Sequence, residues 1–480
     1  MKKFFMVLFF ALLSQCFAFS STKLNSLYGS NPDIKGIWQG TLKISSVQLR
    51  IVFHISRDEK GNFKATMDSP DQGAKDIPVD SVSFTDGSLK LVINVAHGFY
   101  QGIYNADSVS FTGNWNQMGQ SLPLVLHKIE KEEAVNRPQE PKPPFPYKVE
   151  DVVYENKSAG IKLGGTITMP ESGGPFPAVL LITGSGQQNR DEELFGHKPF
   201  LVIADYLTRH GIAVLRVDDR GIGESTGNFA ASTSKDFVSD VLTGVEYLKG
   251  RKEINPKEIG LIGHSEGGMI APMAADETKD VAFIVLMAGP GITGEQVLLT
   301  QTEAIQKLSG VPEDQIKKGL VSDKKMYDAI MQGKDSTQIV DELQKIFNDS
   351  YNSLSEEQKK QLSDPKAGFD MVRNRLMSPW FRYFVAYNPV PVLEKVKCPV
   401  LAIDGSKDLQ VLPEQNLAAI KKALQAGGNK NFEVKELPGL NHIFQTAETG
   451  LPTEYGRIDE TISPIALKTM GDWILKVTKN

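Results

Sequence analysis

Between about Gly29 and His127 apolar side chains recur at every second position. Leu49, Ile51, Phe53 and Ile55 fall on one side and Arg50 and His54 on the other, and Leu89, Leu91, Ile93 and Val95 repeat the arrangement. Turn formers such as Glu59-Lys60-Gly61-Asn62 and Asp86-Gly87 separate the runs. Several short strands within about 100 residues predict a small antiparallel barrel or sandwich over residues 29–127. The next stretch, 128–146, is rich in Lys and Glu and carries Pro138, Pro141, Pro143, Pro144 and Pro146. Proline has no N–H to give to a ladder and clashes inside a helix, so this segment predicts a semi-rigid linker and a domain boundary.

From residue 147 to 480 the pattern becomes strand–helix alternation. Val179–Ile182, Ala213–Val217, Ile259–Ile262, Phe283–Met287 and Val400–Ile403 are continuous apolar runs of the kind buried on both faces. Helical segments such as Phe200–His210 and Phe237–Lys249 lie between them. The prediction is a mostly parallel sheet with helices on both faces. Residues 292–388 interrupt the series; they are helix-rich and polar, with Met377, Trp380, Phe381, Tyr383 and Phe384 near their end. An insertion there predicts a helical cap over a site at the sheet edge.

The amino terminus follows a different rule. Met1-Lys2-Lys3 is positively charged, Phe4–Leu13 is apolar, and Cys16-Phe17-Ala18 follows. About ten apolar residues are too few to span a bilayer, which takes about 20. Residues 1–18 are therefore expected to be a signal peptide, giving a periplasmic or secreted protein. Lipid anchoring through Cys16 is the less favoured alternative, because Gln15 suits that processing poorly. Cleavage after Ala18 leaves Cys398, set in the apolar run Cys398–Leu401, as the sole thiol; it is expected to be a core residue, not a redox site. The chain has 480 residues with a net charge of -5. No basic stripe is present to neutralise phosphates, which argues against nucleic acid as a partner.

Gly263-His264-Ser265-Glu266-Gly267 fits G-x-S-x-G and stands directly after a predicted buried strand and before a predicted helix. A nucleophile on so sharp a turn needs small neighbours, and the helix amino terminus below it favours developing negative charge. Serine needs a base to take its proton. Of the seven histidines, His54, His97 and His127 belong to the β module. His264 is expected to point away from the Ser265 hydroxyl, and His210 ends a helix. His197 stays open on sequence alone. His442 follows the predicted strand Phe432–Leu437, at the carboxyl edge where open α/β sheets carry their sites. It is the expected base. The carboxylate behind it is Asp408, at the end of the turn after Val400–Ile403; Asp404 is expected to bond turn amides. One oxyanion donor should be the amide of Glu266. The other should come from Thr183–Gln187, with Ser185 favoured and Gly186 or Gln187 as alternatives. The glycines there also suit a phosphate loop, but the Walker lysine is absent.

With these motifs in place, residues from about Tyr147 to Asn480 resemble the α/β-hydrolase superfamily, in particular bacterial carboxylesterases and serine-aminopeptidase-like hydrolases. The resemblance rests on Gly263–Gly268, the segment Asp218–Ser225, Asp408 and His442. It implies an eight-stranded sheet, a Ser265–His442–Asp408 triad, a small-molecule ester substrate and no cofactor. Two departures stand out: Thr183-Gly184 replaces the familiar His-Gly, and the strand-rich module lies outside the common fold. In this family Asp219, Arg220 and Glu224 belong mostly to a structural turn, while Arg190 and Asp191 are more open. Ester hydrolysis is the leading expectation. An aminopeptidase would need a carboxylate for the substrate amine, for which Glu295, Glu303 and Asp323 are candidates. A binding protein on a dead hydrolase scaffold is the third, least favoured reading. The β module is expected either to tune substrate access or positioning, or to stabilise the enzyme or mediate dimerisation, and to take no part in bond cleavage.

Overall fold

The computed structural model describes residues 32–478, apart from 45–46, 73, 118–119, 132–135, 334, 357–358 and 360–364. The expected signal peptide, with Cys16 and Ala18, lies outside the described residues. The chain divides into two compact units. One takes in the described residues up to Asn136 with Ser309–Val311 and Val340–Arg373; the other is Arg137–Leu308, Pro312–Ile339 and Asn374–Asn480. The helix-rich insertion is thus shared between them.

In the first unit β1 (Gly36–Ile44), β2 (Val47–Arg57), β3 (Phe63–Ser69), β4 (Ala74–Pro78), β5 (Ser81–Thr85), β6 (Ser88–Ile93), β7 (Gly98–Asn105), β8 (Ser110–Gln117) and β9 (Gln120–Ile129) form one antiparallel sheet. Its order is β4-β3-β2-β1-β9-β8-β7-β6-β5. A single apolar core collects Trp38, Phe53, Tyr100 and Phe111 together with Ile77 of β4 and, at its margin, Phe84 of β5. Side chains from both end strands reach one core, so the sheet curls around it instead of splitting into a sandwich. The expected alternation holds for Ile51, Phe53 and Ile55, which are buried. Arg50 points the other way and forks onto Asp71 at 2.7 and 2.9 Å. Val95 departs from the expectation and is exposed. Strand β6 ends at Ile93, and a short 3-10 turn with His97 at φ 48° breaks the period-two register before Val95 can point inward.

The second unit opens with the latter part of the proline-rich stretch, which is pinned. The Arg137 guanidinium donates to the carbonyls of Gly196, Phe195, Gly456 and Ile458 at 2.8–3.1 Å. Gln139 bonds the backbone of Thr461 and Ile462. Beyond it come β10 (Lys148–Asn156), β11 (Ile161–Met169), β12 (Phe176–Ile182), α1 (Pro199–Arg209), β13 (Ala213–Val217), α2 (Ser234–Lys249), β14 (Ile254–His264), α3 (Glu266–Glu277) and β15 (Phe283–Met287). The insertion supplies α4 (Gly294–Leu308), α5 (Glu313–Met331), α6 (Ser336–Asn352), α7 (Pro365–Leu376), α8 (Pro379–Ala386) and α9 (Val390–Leu393). The series closes with β16 (Val400–Gly405), α10 (Pro413–Ala426), β17 (Phe432–Leu437) and α11 (Pro464–Thr478). Among the described residues no helix is long and apolar enough to cross a membrane.

The sheet order is β10-β11-β13-β12-β14-β15-β16-β17. It is mixed. β11 runs antiparallel to both β10 and β13, and the remaining pairings are parallel. Strands β15 and β16 are buried at every position, as their unbroken apolar runs require. Helix α2 begins at Ser234, three residues before the sequence expectation, because Thr233 and Asp236 close a reciprocal capping box. Cys398, expected in the core, is half-buried just before β16, and burial pushes its thiol up to about 12.

The position of the site follows from the strand order. β12 leads to β13 on one side and β14 leads to β15 on the other, so the connections leaving β12 and β14 diverge. A crevice opens at the carboxyl ends of β12 and β14, the switch point where such sheets bind ligands. The loop Thr183–Gln187 leaves one of those ends and Ser265 the other.

Candidate active site

Ser265 stands between β14 and α3 with φ 52° and ψ -115°, a backbone conformation that non-glycine residues rarely adopt. Its neighbours explain how it is held. A Cβ on Gly263 would come 2.0 Å from the Gly267 carbonyl oxygen, and one on Gly267 2.2 Å from that of Ile182. No larger residue fits at either place. The Ser265 N–H donates to the Met287 carbonyl at 2.8 Å, and the Ser265 carbonyl accepts from Gly268 at 2.9 Å. The strained turn is thereby fixed on both sides.

His442 lies in the loop after β17. Asn441 staples this loop, its Oδ1 accepting from the Ile443 and Gln445 amides. His442 Nδ1 is 2.7 Å from Asp408 Oδ2, and both side chains are buried. Asp408 Oδ1 accepts from the Gln410 and Val411 amides at 2.7 and 2.9 Å. Burial opposes its ionisation, but the His442 imidazole and these bonds outweigh burial and hold the carboxyl below its ordinary value. Asp404 behaves in the opposite way. It is completely buried, its Oδ1 accepts only the Gly405 amide, and burial followed by the neighbouring Asp408 raises its acid well above the usual range. Asp404 thus bonds a turn amide, while Asp408 bonds the His442 ring. Among the described hydrogen bonds none joins the Ser265 hydroxyl to the His442 ring. In ligand-free sites such bonds are often long and tighten with substrate.

In the loop after β12 the amides have been partly allotted. Gly184 N–H goes to Glu192 at 2.6 Å, and Gln188 N–H goes to Asp219 at 2.7 Å. No described hydrogen bond uses the amides of Ser185, Gly186, Gln187 or Glu266. Asp219 also accepts from the Thr183 hydroxyl at 2.9 Å, so it holds this loop from both ends.

The other candidates are taken up in the framework. His197 is buried between Thr461, the Tyr455 carbonyl and Gln445, and burial lowers it to about 4. His210 bonds the Tyr206 carbonyl one turn back on α1. Arg190 braces Asp218, Thr166 and the Gly165 carbonyl, and Asp191 pairs with Arg216. Arg220 grips Asp240 and Ser232, while Glu224 is exposed near Arg190. Of the amine-holding candidates, Glu295 pairs with Lys324 at 2.8 Å, Asp323 is half-buried near Arg375, and Glu303 is exposed.

Sequence reasoning missed the Glu266 side chain. It is buried, and its Oε1 accepts from the Ser234 hydroxyl at 2.6 Å and from Trp380 Nε1 of α8 at 2.8 Å. One carboxyl beside Ser265 therefore ties α2 and the insertion to the turn. Burial pushes its acid up to about 7, against the pull of those two bonds. A pattern of residue types gives no sign of this, because Glu266 opens an ordinary helix. His264 was expected to point away from the Ser265 hydroxyl; its ring bonds Glu192 and the His442 carbonyl.

The family described as serine aminopeptidase, S33 (Hydrolase_4) matches residues 199–448, which hold the turn, Asp408 and His442. The chain belongs to this S33 hydrolase family. It is similar to esterase EstD of Thermotoga maritima, with 27% identity over 69% of this chain and 70% of the relative. It also resembles the putative hydrolase YtaP of Bacillus subtilis, with 32% identity over 20% of this chain and 38% of that protein. A solved structure of the Pyrococcus furiosus esterase Pf2001 aligns over 73% of this chain and all of its own, at 18% identity and a TM-score of 0.42. As an S33 hydrolase the chain is an enzyme with the α/β-hydrolase fold.

Two expectations follow from the carboxyl groups. Asp408→Asn should lower kcat by about 10³- to 10⁴-fold, because an amide there favours the wrong histidine tautomer. Asp404→Asn, which mimics an acid already protonated, should lower it by less than about tenfold. Steady-state kinetics of both variants decide, and the reverse ranking would move the role to Asp404. For Glu266 the folded value of about 7 lies above the ordinary 4.5. Its contribution to stability is full below 4.5 and is lost as pH rises towards 7. Glu266→Gln should therefore gain stability relative to the parent between about pH 5 and about pH 8, by up to about 3 kcal/mol. Parallel stability curves in denaturant titrations across that range would contradict this.

Proposed function

We propose that this S33 hydrolase is a serine carboxylesterase working through an acyl-enzyme. Ser265 attacks the ester carbonyl carbon while His442 takes the hydroxyl proton. The tetrahedral oxyanion is held by the Glu266 amide and a second amide from the loop after β12, for which Ser185 is the first choice. Collapse expels the alcohol, to which His442 returns the proton. Water then repeats the sequence on the acyl group, regenerating Ser265 and releasing the acid. Asp408 fixes the His442 tautomer with the proton on Nδ1, so that Nε2 is the basic atom, and stabilises the imidazolium formed at each step.

The observation that carries this reading is the buried Asp408–His442 pair at 2.7 Å in the loops above the same sheet edge as the strained Ser265. The relation to EstD, named as an esterase, supports an ester as the substrate. The aminopeptidase reading is weakened by the cations beside two of its candidate carboxylates, Lys324 against Glu295 and Arg375 near Asp323. The pure enzyme should hydrolyse nitrophenyl acetate or butyrate much faster than aminoacyl-nitroanilides, and Ser265→Ala should lose at least about 10³-fold in kcat. A preference for the anilides would favour the peptidase. Undiminished turnover by Ser265→Ala would sink the serine mechanism altogether.

A further inference from the structure

The buried groups around Ser265 include one ionisable pair that the hydrolytic steps leave unused. His264, the residue before the nucleophile, and Glu192, in the loop region after β12, are both buried. His264 Nδ1 lies 2.9 Å from Glu192 Oε1, and its Nε2 lies 3.0 Å from the His442 carbonyl oxygen. A carbonyl oxygen only accepts, so Nε2 carries a hydrogen. Glu192 Oε1 already accepts the Gly184 N–H at 2.6 Å, which suits a carboxylate oxygen receiving a second donor from Nδ1. Burial works against a charge on His264, yet Glu192 and the His442 carbonyl outweigh it, and the imidazole is shifted towards its protonated form.

The pair touches three parts of the site. Glu192 holds the Gly184 amide of the expected oxyanion loop. His264 is covalently joined to Ser265 and hydrogen-bonded to the backbone of His442, with the two imidazole rings 4.9 Å apart. The approach is tight: a Cβ on Gly184 would lie 3.3 Å from Glu192 Oε1, 3.3 Å from Ser265 Cβ and 3.5 Å from His264 Nδ1. Glu192 is itself held at φ 50°, in the left-handed region, by a turn whose amide bonds Asn189. Strain of this kind persists where surrounding contacts fix it, and it collects at functional sites.

We infer that Glu192 and His264 form a buried charged brace that positions the nucleophile, the base and the oxyanion loop relative to one another. The inference rests on the proposed serine mechanism and names two positioning residues for it; neither touches the reacting atoms. A carboxylate and an imidazolium together add no net charge beneath His442, so the brace can be rigid without opposing the imidazolium that His442 becomes. Because both residues act through one shared bond, removing either should release the same geometry. Their effects on rate should not multiply.

The test is a double-mutant cycle on the full chain with Glu192→Gln, His264→Gln and the combination. Each is measured for kcat and KM on nitrophenyl acetate, for the rate of phosphonylation by a fluorophosphonate, and for Tm. The expected result is a kcat about 10- to 100-fold lower in each single variant, with KM within about threefold and phosphonylation slowed in parallel. The combination should be no slower than the slower single variant. If a single variant fails to fold because one buried partner is left alone, the combination removes both charges together and supplies the readout. A folded combination with parental kcat would overturn the brace, as would single effects that multiply, or losses confined to KM or Tm. A parent that neither cleaves the ester nor reacts with the fluorophosphonate would instead remove the serine mechanism, and the brace with it. A parent that reacts with the fluorophosphonate alone would remove only the ester substrate, and the cycle is then read from phosphonylation.

Discussion

Crowding at the turn between β14 and α3 governs the geometry of the site. Gly263 and Gly267 pass so close to neighbouring backbone that a single added carbon would collide at 2.0 to 2.2 Å. That closeness lets strand and helix meet at an angle that forces Ser265 into φ 52°. The parallel pairing of β12 with β14 then brings the loop after β12 beside the serine, and the Ile182 carbonyl is itself one of the atoms crowding Gly267. His442 arrives from β17 across two intervening strands. Its place depends on Asn441 and on Asp408, and through its carbonyl on His264.

Around this turn lie four buried carboxyl groups and a half-buried one, Asp219, and the environment divides them by role. Asp408 and Glu192 each face an imidazole. Asp404, Glu266 and Asp219 face hydroxyl, amide or indole donors, and burial raises the acid of all three. A carboxylate that meets no cation in so dry a region is costly, which shifts the group towards its protonated form. The same residue type therefore pairs with an imidazole at two positions and ties loops through hydroxyl, amide or indole donors at three. Glu266 is the clearest strut, joining the turn to α2 and to Trp380.

Much of this was legible in the sequence because it depends on periodicity and local sterics. Strands β13, β15 and β17 begin and end where their apolar runs or alternation placed them, and G-x-S-x-G stood in the one context that gives the motif meaning. Asp408 was preferred to Asp404 because it ends the turn, whereas Asp404 is nearer the strand. What escaped depends on contacts distant along the chain. Strands β10 and β11 follow the linker without a long apolar run, and one face of β10 is exposed. The docking of Arg137 onto carbonyls more than 300 residues away has no local signature. Glu192 lies 72 positions from His264, and nothing in its surroundings marks it as a partner. His197 could be dismissed only once its bonds to Thr461 and the Tyr455 carbonyl were visible.

The central claim is that Ser265 is a nucleophile activated by His442. Stoichiometric reaction with a fluorophosphonate, followed by intact mass and peptide mapping, addresses it without knowledge of the natural substrate. The account predicts one adduct per chain on the peptide containing Ser265, none in Ser265→Ala, and a rate at least about 10³-fold lower in His442→Ala. An adduct on another residue, or labelling of Ser265→Ala at the parental rate, would contradict it.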